Sequence, residues 1–191
     1  MSPRRGAGGL RIVAGELGGR RLSSPPGGIR PTAERTREAV FSMLGPVRGP
    51  ALDLFCGSGA LGIEALSRGA ERVTLVDADI ATAARNVAGL EIEDRCELLE
   101  AELPAALGAT GPLAGRSFEL ILCDPPYTLA ARLGPDLDRM LPPMLSPDGT
   151  VVTESAPDAP LELSLPLRTE RRYGAALVRI HDARERGEAS R

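Results

Sequence analysis

The chain has 191 residues and a mass of 20.0 kDa, enough for one domain with a real core plus a short appendage and too little for two full domains. Its composition, 42% hydrophobic and 26% charged, is globular, no apolar run approaches the roughly 20 residues of a membrane-spanning helix, and Cys56, Cys96 and Cys123 lack the spacing of a disulfide framework or a zinc site. The net charge of −3 hides an acidic body between basic ends, with nine Arg against three acids over residues 1–48, seven against nineteen over 49–165 and seven against four over 166–191. That asymmetry suits a polyanion held by the ends, the alternative being an ordinary solvated surface. All 23 basic residues are Arg, which a GC-rich coding bias explains as readily as function does.

In chain order, the basic start Met1-Ser2-Pro3-Arg4-Arg5-Gly6 has no apolar segment after it, so no secretory leader is expected and the cytoplasm is the default location. Two short apolar runs, Leu10-Arg11-Ile12-Val13 and Arg20-Arg21-Leu22, separated by Gly15, Gly18 and Gly19, predict a small β-hairpin or ordered arm. A helix is predicted over 33–44, with Ala39, Val40, Met43 and Leu44 as its apolar stripe, Thr32 as N-cap and Gly45 just past its end. From residue 50 short strands and helices alternate. Strands are predicted over 51–55, 72–76, 96–99, 118–123 and 150–153, helices over 60–68, 80–88, 103–107 and 133–141, and a closing antiparallel pair over 161–167 and 172–180. Such alternation predicts an α/β fold with a parallel sheet and helices on both faces. The chain therefore divides into a basic extension over 1–48, a main domain over 49–181 and a disordered tail over 182–191.

Two constellations carry chemistry. In Ala51-Leu52-Asp53-Leu54-Phe55-Cys56-Gly57-Ser58-Gly59-Ala60-Leu61-Gly62 a strand delivers a glycine turn that opens a helix, where doubly wound folds bind nucleotides. Gly57, Gly59 and Gly62 fit G-x-G-x-x-G, a pattern shared by NAD, FAD and S-adenosylmethionine (SAM) enzymes and also met in plain tight turns. Asp77, twenty residues after Gly57, can accept both hydroxyls of a ribose. Asp53 would repel a pyrophosphate and attract the ammonium of a methionine moiety, directly or through water, or else it caps the turn. No Walker lysine follows the glycines, which excludes a P-loop.

The second constellation is Leu120-Ile121-Leu122-Cys123-Asp124-Pro125-Pro126-Tyr127. Two prolines give a stiff extended exit from the strand, and a carboxylate beside a fixed carbonyl suits an amino group. An exocyclic amine has its lone pair delocalised into its ring, so both N–H bonds must be held while the lone pair turns toward a methyl donor about 3–3.5 Å away. Asp124 and the Pro125 carbonyl supply the two acceptors, and Tyr127 can stack on a planar base.

D-x-x-x-G-S-G, an acid ending the second strand and D-P-P-Y ending the fourth resemble the class I SAM-dependent amino-methyltransferases. Arg11-Ile12-Val13-Ala14-Gly15, Gly19-Arg20-Arg21-Leu22, Arg30-Pro31-Thr32 and Arg35-Thr36-Arg37-Glu38, together with the glycine turn, resemble the RsmD family over most of residues 10–180. That is the bacterial family that methylates N2 of one guanine in small-subunit (16S) ribosomal RNA. The resemblance implies a Rossmann-like fold with a seven-stranded, mainly parallel sheet whose last strand is antiparallel, plus a small N-terminal hairpin and helix. It implies SAM as cofactor, S-adenosylhomocysteine (SAH) as product and 16S rRNA in an assembling small subunit as partner; no metal, no membrane contact and a monomeric chain are expected besides. Carried over residue by residue, Asp53, Cys56, Gly57, Ser58, Gly59, Asp77 and Ala78 hold SAM, and Asp124, Pro125, Pro126 and Tyr127 present the guanine. Arg11, Arg20, Arg21, Arg30, Thr32, Arg35 and Arg37 face the RNA.

The chain departs from the family in the arm, where Ala14-Gly15 replaces paired glycines. It departs again at the end of the third strand, where the family tends to place an Asp on the adenine amine and this chain has Glu100-Ala101-Glu102. Glu100 with Ala101 is assigned that place, Glu102 being the alternative register. Cys123 reads as a buried strand residue rather than a nucleophile. His181, the only histidine, lies next to the tail and builds neither a triad nor a metal cluster. Three Phe, two Tyr and no Trp leave no stacking platform for single-stranded nucleic acid, so the grip on RNA falls to Arg on phosphates. The competing functions are amino methylation of DNA or of a protein glutamine, for which Asn more often precedes Pro-Pro-Tyr; an NAD-dependent oxidoreductase, for which residues 130–191 are too few; and a non-catalytic RNA-binding assembly factor.

Overall fold

The computed structural model describes residues 10–24 and 31–184, with the backbone alone for residues 31–33. Leu10 to Leu22 form the expected arm, in which Arg11 and Arg21 bridge antiparallel and Leu22 N–H donates to Leu10 O at 2.8 Å. Helix α1 (Pro31–Leu44) buries Arg37, Val40 and Phe41 at helical spacing and stops at Gly45, whose φ of +75° suits the residue after a helix. Thr32 lies inside this helix, because Pro31, with its preset φ, already serves as first helical residue; the N-cap expected at Thr32 is not formed there.

Seven strands build one sheet in the order β3-β2-β1-β4-β5-β7-β6. They are β1 (Pro50–Leu54), β2 (Arg72–Asp77), β3 (Cys96–Glu100), β4 (Phe118–Cys123), β5 (Leu145–Ser155), β6 (Leu167–Tyr173) and β7 (Ala176–Asp182). Pairing from β3 through β5 is parallel, and β7 runs antiparallel between β5 and β6. Helices α2 (Ala60–Ser67), α3 (Ala81–Leu90) and α4 (Tyr127–Met140) connect the strands. This is the Rossmann-like class I architecture expected from the sequence. Side chains alternate between two cores: Ala51, Leu120 and Leu122 pack with α1, α2, α3 and the arm residues Leu10, Ile12 and Leu22, while Leu52, Leu54, Ile121 and Cys123 pack with α4, as the two-residue period of a strand requires. The basic extension thus shares a core with the main domain.

Several boundaries differ from the sequence expectation: β5 runs past 150–153 at both ends, β7 starts at Ala176 rather than 172, the helix expected over 103–107 is a single 3-10 turn at Ala105–Leu107, and three further differences have a clear cause. The penultimate strand begins at Leu167 rather than 161, because Leu161 and Leu163 bury themselves against the α4 core and Ser164 is held by Asp138, whose carboxylate accepts its N–H and its hydroxyl. The alternating leucines mimic a strand, but they form a strap tied to a helix. Helix α4 starts at Tyr127 instead of 133, since Pro126 caps it and accepts from Leu129 N–H at 2.7 Å. Finally, Asp182 ends β7 and pairs with Arg168, so order reaches past the expected start of the tail, and residues 185–191 lie outside the described part. His181 is accordingly a buried strand residue, with Nδ1 3.0 Å from Leu165 O.

Candidate active site

The strand order reverses between β1 and β4, since β2 and β3 extend the sheet to one side of β1 and β4 extends it to the other. Such a switch point leaves a crevice at the carboxyl ends of the two strands. Both constellations arrive there. Leu54 pairs with Cys123, so Phe55 and Asp124 leave the sheet side by side. Cys123 in turn pairs with Thr153 of β5, which sets Glu154 next to Asp124.

The glycine turn is shaped by backbone demands. Gly57 and Gly59 have φ of +52° and +77°, a region open to glycine at little cost. A Cβ on Gly57 would point into open space, where the backbone can meet a ligand. A Cβ on Gly62 would come within 2.4 Å of Leu75 Cδ2, so the third glycine permits the close packing of α2 on β2. Phe55 also takes a positive φ of 61°, an uncommon setting for a bulky residue and a mark of local strain at a functional turn.

A cleft of about 850 Å³ opens between the strand ends, within the usual range of roughly 300–1,000 Å³ for small-ligand sites. On the glycine side Gly57, Asp77, Ala78, Ala101 and Glu102 line it, and on the β4 side Asp124, Pro125, Pro126 and Tyr127. A second compartment of about 230 Å³ lies toward the arm, lined by Leu10, Thr36, Arg37, Cys56 and Ser58 among others. Phe55, Gly57, Asp124 and Glu154 line both. Four acids (Asp77, Glu102, Asp124 and Glu154) and one base (Arg132) line the larger cleft, a field that favours a cationic ligand over a pyrophosphate.

Most candidate residues from the sequence gather here, but four do not sit as expected: Gly59 is buried in the turn against Leu75 and Ile63 and lines neither compartment, and the others are Asp53, Glu100 and Arg37. Asp53 is 1% exposed and lines neither compartment; its Oδ2 accepts Gly62 N–H at 2.7 Å. Burial pushes its carboxyl up to about 7, against the pull of the Gly62 N–H and with the Asp77 charge adding to the rise. Asp53 therefore braces the start of α2 below the cleft. Glu100 is exposed at the end of β3 and outside both linings, whereas Glu102 lines the cleft, so the alternative register is the one that faces the cavity. Arg37 is 4% exposed: its Nη2 donates to Arg11 O, its Nε lies 3.4 Å from Glu64, and burial lowers its pKa. A cation so enclosed holds the fold together and is not presented to a polyanion.

Among the other Arg, Arg11 is 61% exposed and paired with Glu34, and Arg20, Arg21 and Arg35 are exposed; Arg30 and the Thr32 side chain fall outside the described residues. Asp77 Oδ2 accepts Gly57 N–H at 2.8 Å and its Oδ1 accepts Asp79 N–H at 3.2 Å, so this acid fixes the turn while it lines the cleft. Burial pushes the Cys56 and Cys123 thiols far up, which disarms them as nucleophiles. Among the described residues no group of three or more His, Cys, Asp or Glu is arranged to hold a metal ion.

Sequence reasoning missed Phe55, Thr36 and Glu154. The first sits inside the motif, and the last lies one residue before the end of β5 at the same sheet edge as Asp124, which is where such a residue could have been sought. It also missed Glu64, the fully buried acid that ties the arm to α2. Glu64 accepts Val13 N–H at 2.7 Å, Ala14 N–H at 3.1 Å and Arg68 Nε–H at 2.7 Å.

The family described as "Conserved hypothetical protein 95" matches residues 10–182. Among curated relatives, "Putative rRNA methyltransferase YlbH" of Bacillus subtilis is 40% identical over 124 residues, 62% of this chain and 67% of that protein. "Ribosomal RNA small subunit methyltransferase D" of Escherichia coli is 47% identical over 88 residues, and the match spans 44% of each chain. Among solved structures, "Putative methyltransferase yhhF" from Escherichia coli superposes with a TM-score of 0.77 at 30% identity, covering 94% of this chain and all of that one.

Proposed function

The chain belongs to the RsmD family, described as "Conserved hypothetical protein 95", and from that membership we propose that it is a SAM-dependent methyltransferase acting on ribosomal RNA, with the N2 amine of a guanine in the small-subunit RNA as acceptor. The observation that carries the reading is the convergence at one switch point of the glycine turn, with Gly57 bare toward the cleft, and the Asp124-Pro125-Pro126-Tyr127 exit of β4. The names of the rRNA-methylating relatives support the same class of substrate.

The residues suit the cofactor. A sulfonium and an ammonium would favour the acid-lined cleft, where Asp77 would accept from ribose hydroxyls and Ala101 and Glu102 would border the adenine. SAM supplies a methyl group on a cationic sulfur that leaves as a neutral thioether. The protein's part is to orient the amine: Asp124 and the Pro125 carbonyl accept its two N–H bonds, which leaves the lone pair facing the donor, and Tyr127 packs against the base plane. As the N–C bond forms the nitrogen becomes cationic, and Asp124 stabilises it and takes or relays the proton to water. Because the amine lies on the pairing edge of guanine, the target is unpaired or flipped when it enters.

The segments divide the work. The arm and α1 form the RNA-facing part, the exposed Arg11, Arg20, Arg21 and Arg35 contacting phosphates, and residues from 49 onward form the catalytic body. The test is transfer of labelled methyl from SAM to small-subunit particles from cells lacking the protein, followed by nucleoside digestion and mass spectrometry. N2-methylguanosine is the expected product. Label on another nucleoside or on protein would overturn the guanine assignment while leaving a methyltransferase.

A further inference from the structure

We propose that Glu154 is a specificity-determining residue, whose carboxylate reads the acceptor base by accepting its ring N1–H beside the amine that Asp124 holds. The inference rests on the proposed guanine acceptor and adds what selects it.

Three observations place Glu154 in this role. The pairing of Cys123 with Thr153 sets Asp124, the first residue past β4, level with Glu154 near the end of the neighbouring parallel strand β5, so two acidic residues stand side by side at the same edge of the sheet. Both line the larger cleft and the arm-side compartment, the boundary that a base must cross to meet a donor held by the glycine turn. Tyr127, proposed to lie against the base plane, has its hydroxyl 3.4 Å from Glu154 Oε1, which orients the carboxylate from the α4 side.

The chemistry of the base edge then decides the pairing. Guanine presents two adjacent donors, the ring N1–H and the N2 amine, whereas adenine and cytosine carry a ring lone pair next to their amine. One acid can hold an amine of any of the three. A second acid alongside accepts the N1–H of guanine and repels the lone pair of the other two, and a buried acceptor left without its donor is what makes such discrimination steep. Among the described residues, Glu154 is the acid the pairing sets next to Asp124 and on both compartments.

The test uses unmethylated small-subunit particles reconstituted on RNA that carries, at the mapped target position, either guanosine or 2-aminopurine, which keeps the N2 amine and replaces the N1–H by a lone pair. The wild-type protein is expected to prefer guanosine by at least about 30-fold in kcat/KM. In Glu154→Gln, whose amide can turn a carbonyl or an N–H toward the base, that preference falls below about 3-fold, with the dissociation constant for SAH and the melting temperature unchanged. A wild-type preference retained in Glu154→Gln overturns the inference, as does a loss of SAH affinity that accounts for the loss of transfer. If the wild-type protein places no methyl on N2 of guanosine, the acceptor reading and this inference fail together, an outcome visible before any variant is compared.

Discussion

The seam where the arm docks and the cleft at the strand ends both gather acids, buried in the seam and half-buried or exposed in the cleft, and they use them in opposite ways. In the seam Glu64 is fully buried and saturated by two arm N–H groups and two Arg. Beside it the Ser67 hydroxyl donates to Ala14 O at 2.6 Å and accepts Leu17 N–H at 3.0 Å, while Asn86 Oδ1 accepts Ser23 N–H and its amide donates to the carbonyls of Ser23 and Ser58. In the cleft the acids border a cavity instead. Buried polar groups that close on one another fix a geometry, and acids that border a cleft can be reached by a ligand. Asn86 links the two regions, since it ties the arm to the glycine turn through Ser58 O.

Breaking the seam should have the largest effect on stability. Glu64→Ala leaves Arg37 buried without its counter-charge and strands two arm N–H groups, an expected loss of about 3–5 kcal/mol in urea denaturation; a loss under about 1 kcal/mol would show that the arm is held by its apolar contacts alone. A smaller effect belongs to Asp53, below the cleft. Its folded carboxyl sits at about 7 against an ordinary 3.8, so between those values the folded state binds a proton more tightly than the unfolded chain. Its contribution is fully present below about pH 4 and is lost as pH rises to 7. Asp53→Asn fixes the neutral form, and the difference in stability between pH 4 and pH 8 should shrink by roughly 3–4 kcal/mol; an unchanged slope would mean that Asp53 ionises normally. Smallest is the double change Arg20→Ala, Arg21→Ala on the exposed face of the arm. Stability should stay within about 0.5 kcal/mol, while the salt dependence of RNA binding loses a slope of about 1 for each Arg that meets a phosphate.

The cleft was legible because its parts are forced to be particular residues: glycine where φ is positive, proline where the strand must end, acids at strand tips. The seam was not. Arg37 sits in a basic stretch that reads as one polyanion-facing set, and only the fold reveals that its helix turns it inward onto Glu64. Glu64 itself is an acid in a helical pattern, indistinguishable in sequence from a solvated one. Glu154 follows a short apolar run with no motif around it, and its value comes from register with β4. Asp53, within the motif, reads either as a ligand contact or as a cap of the turn, because proximity in sequence to the glycines does not say which face of β1 a side chain takes; its bond to Gly62 N–H matches the second. The strap over 161–166 passed for a strand because alternating leucines serve a helix-covered groove as well as a sheet.

The most direct measurement compares the wild-type protein with Asp124→Ala for SAH binding by calorimetry and for methyl transfer to unmethylated small-subunit particles. The account predicts SAH affinity and RNA binding within about twofold of wild type, with transfer reduced at least about a hundredfold. Transfer that survives the change, or SAH binding lost in proportion to it, would contradict the assignment of Asp124 to the acceptor amine.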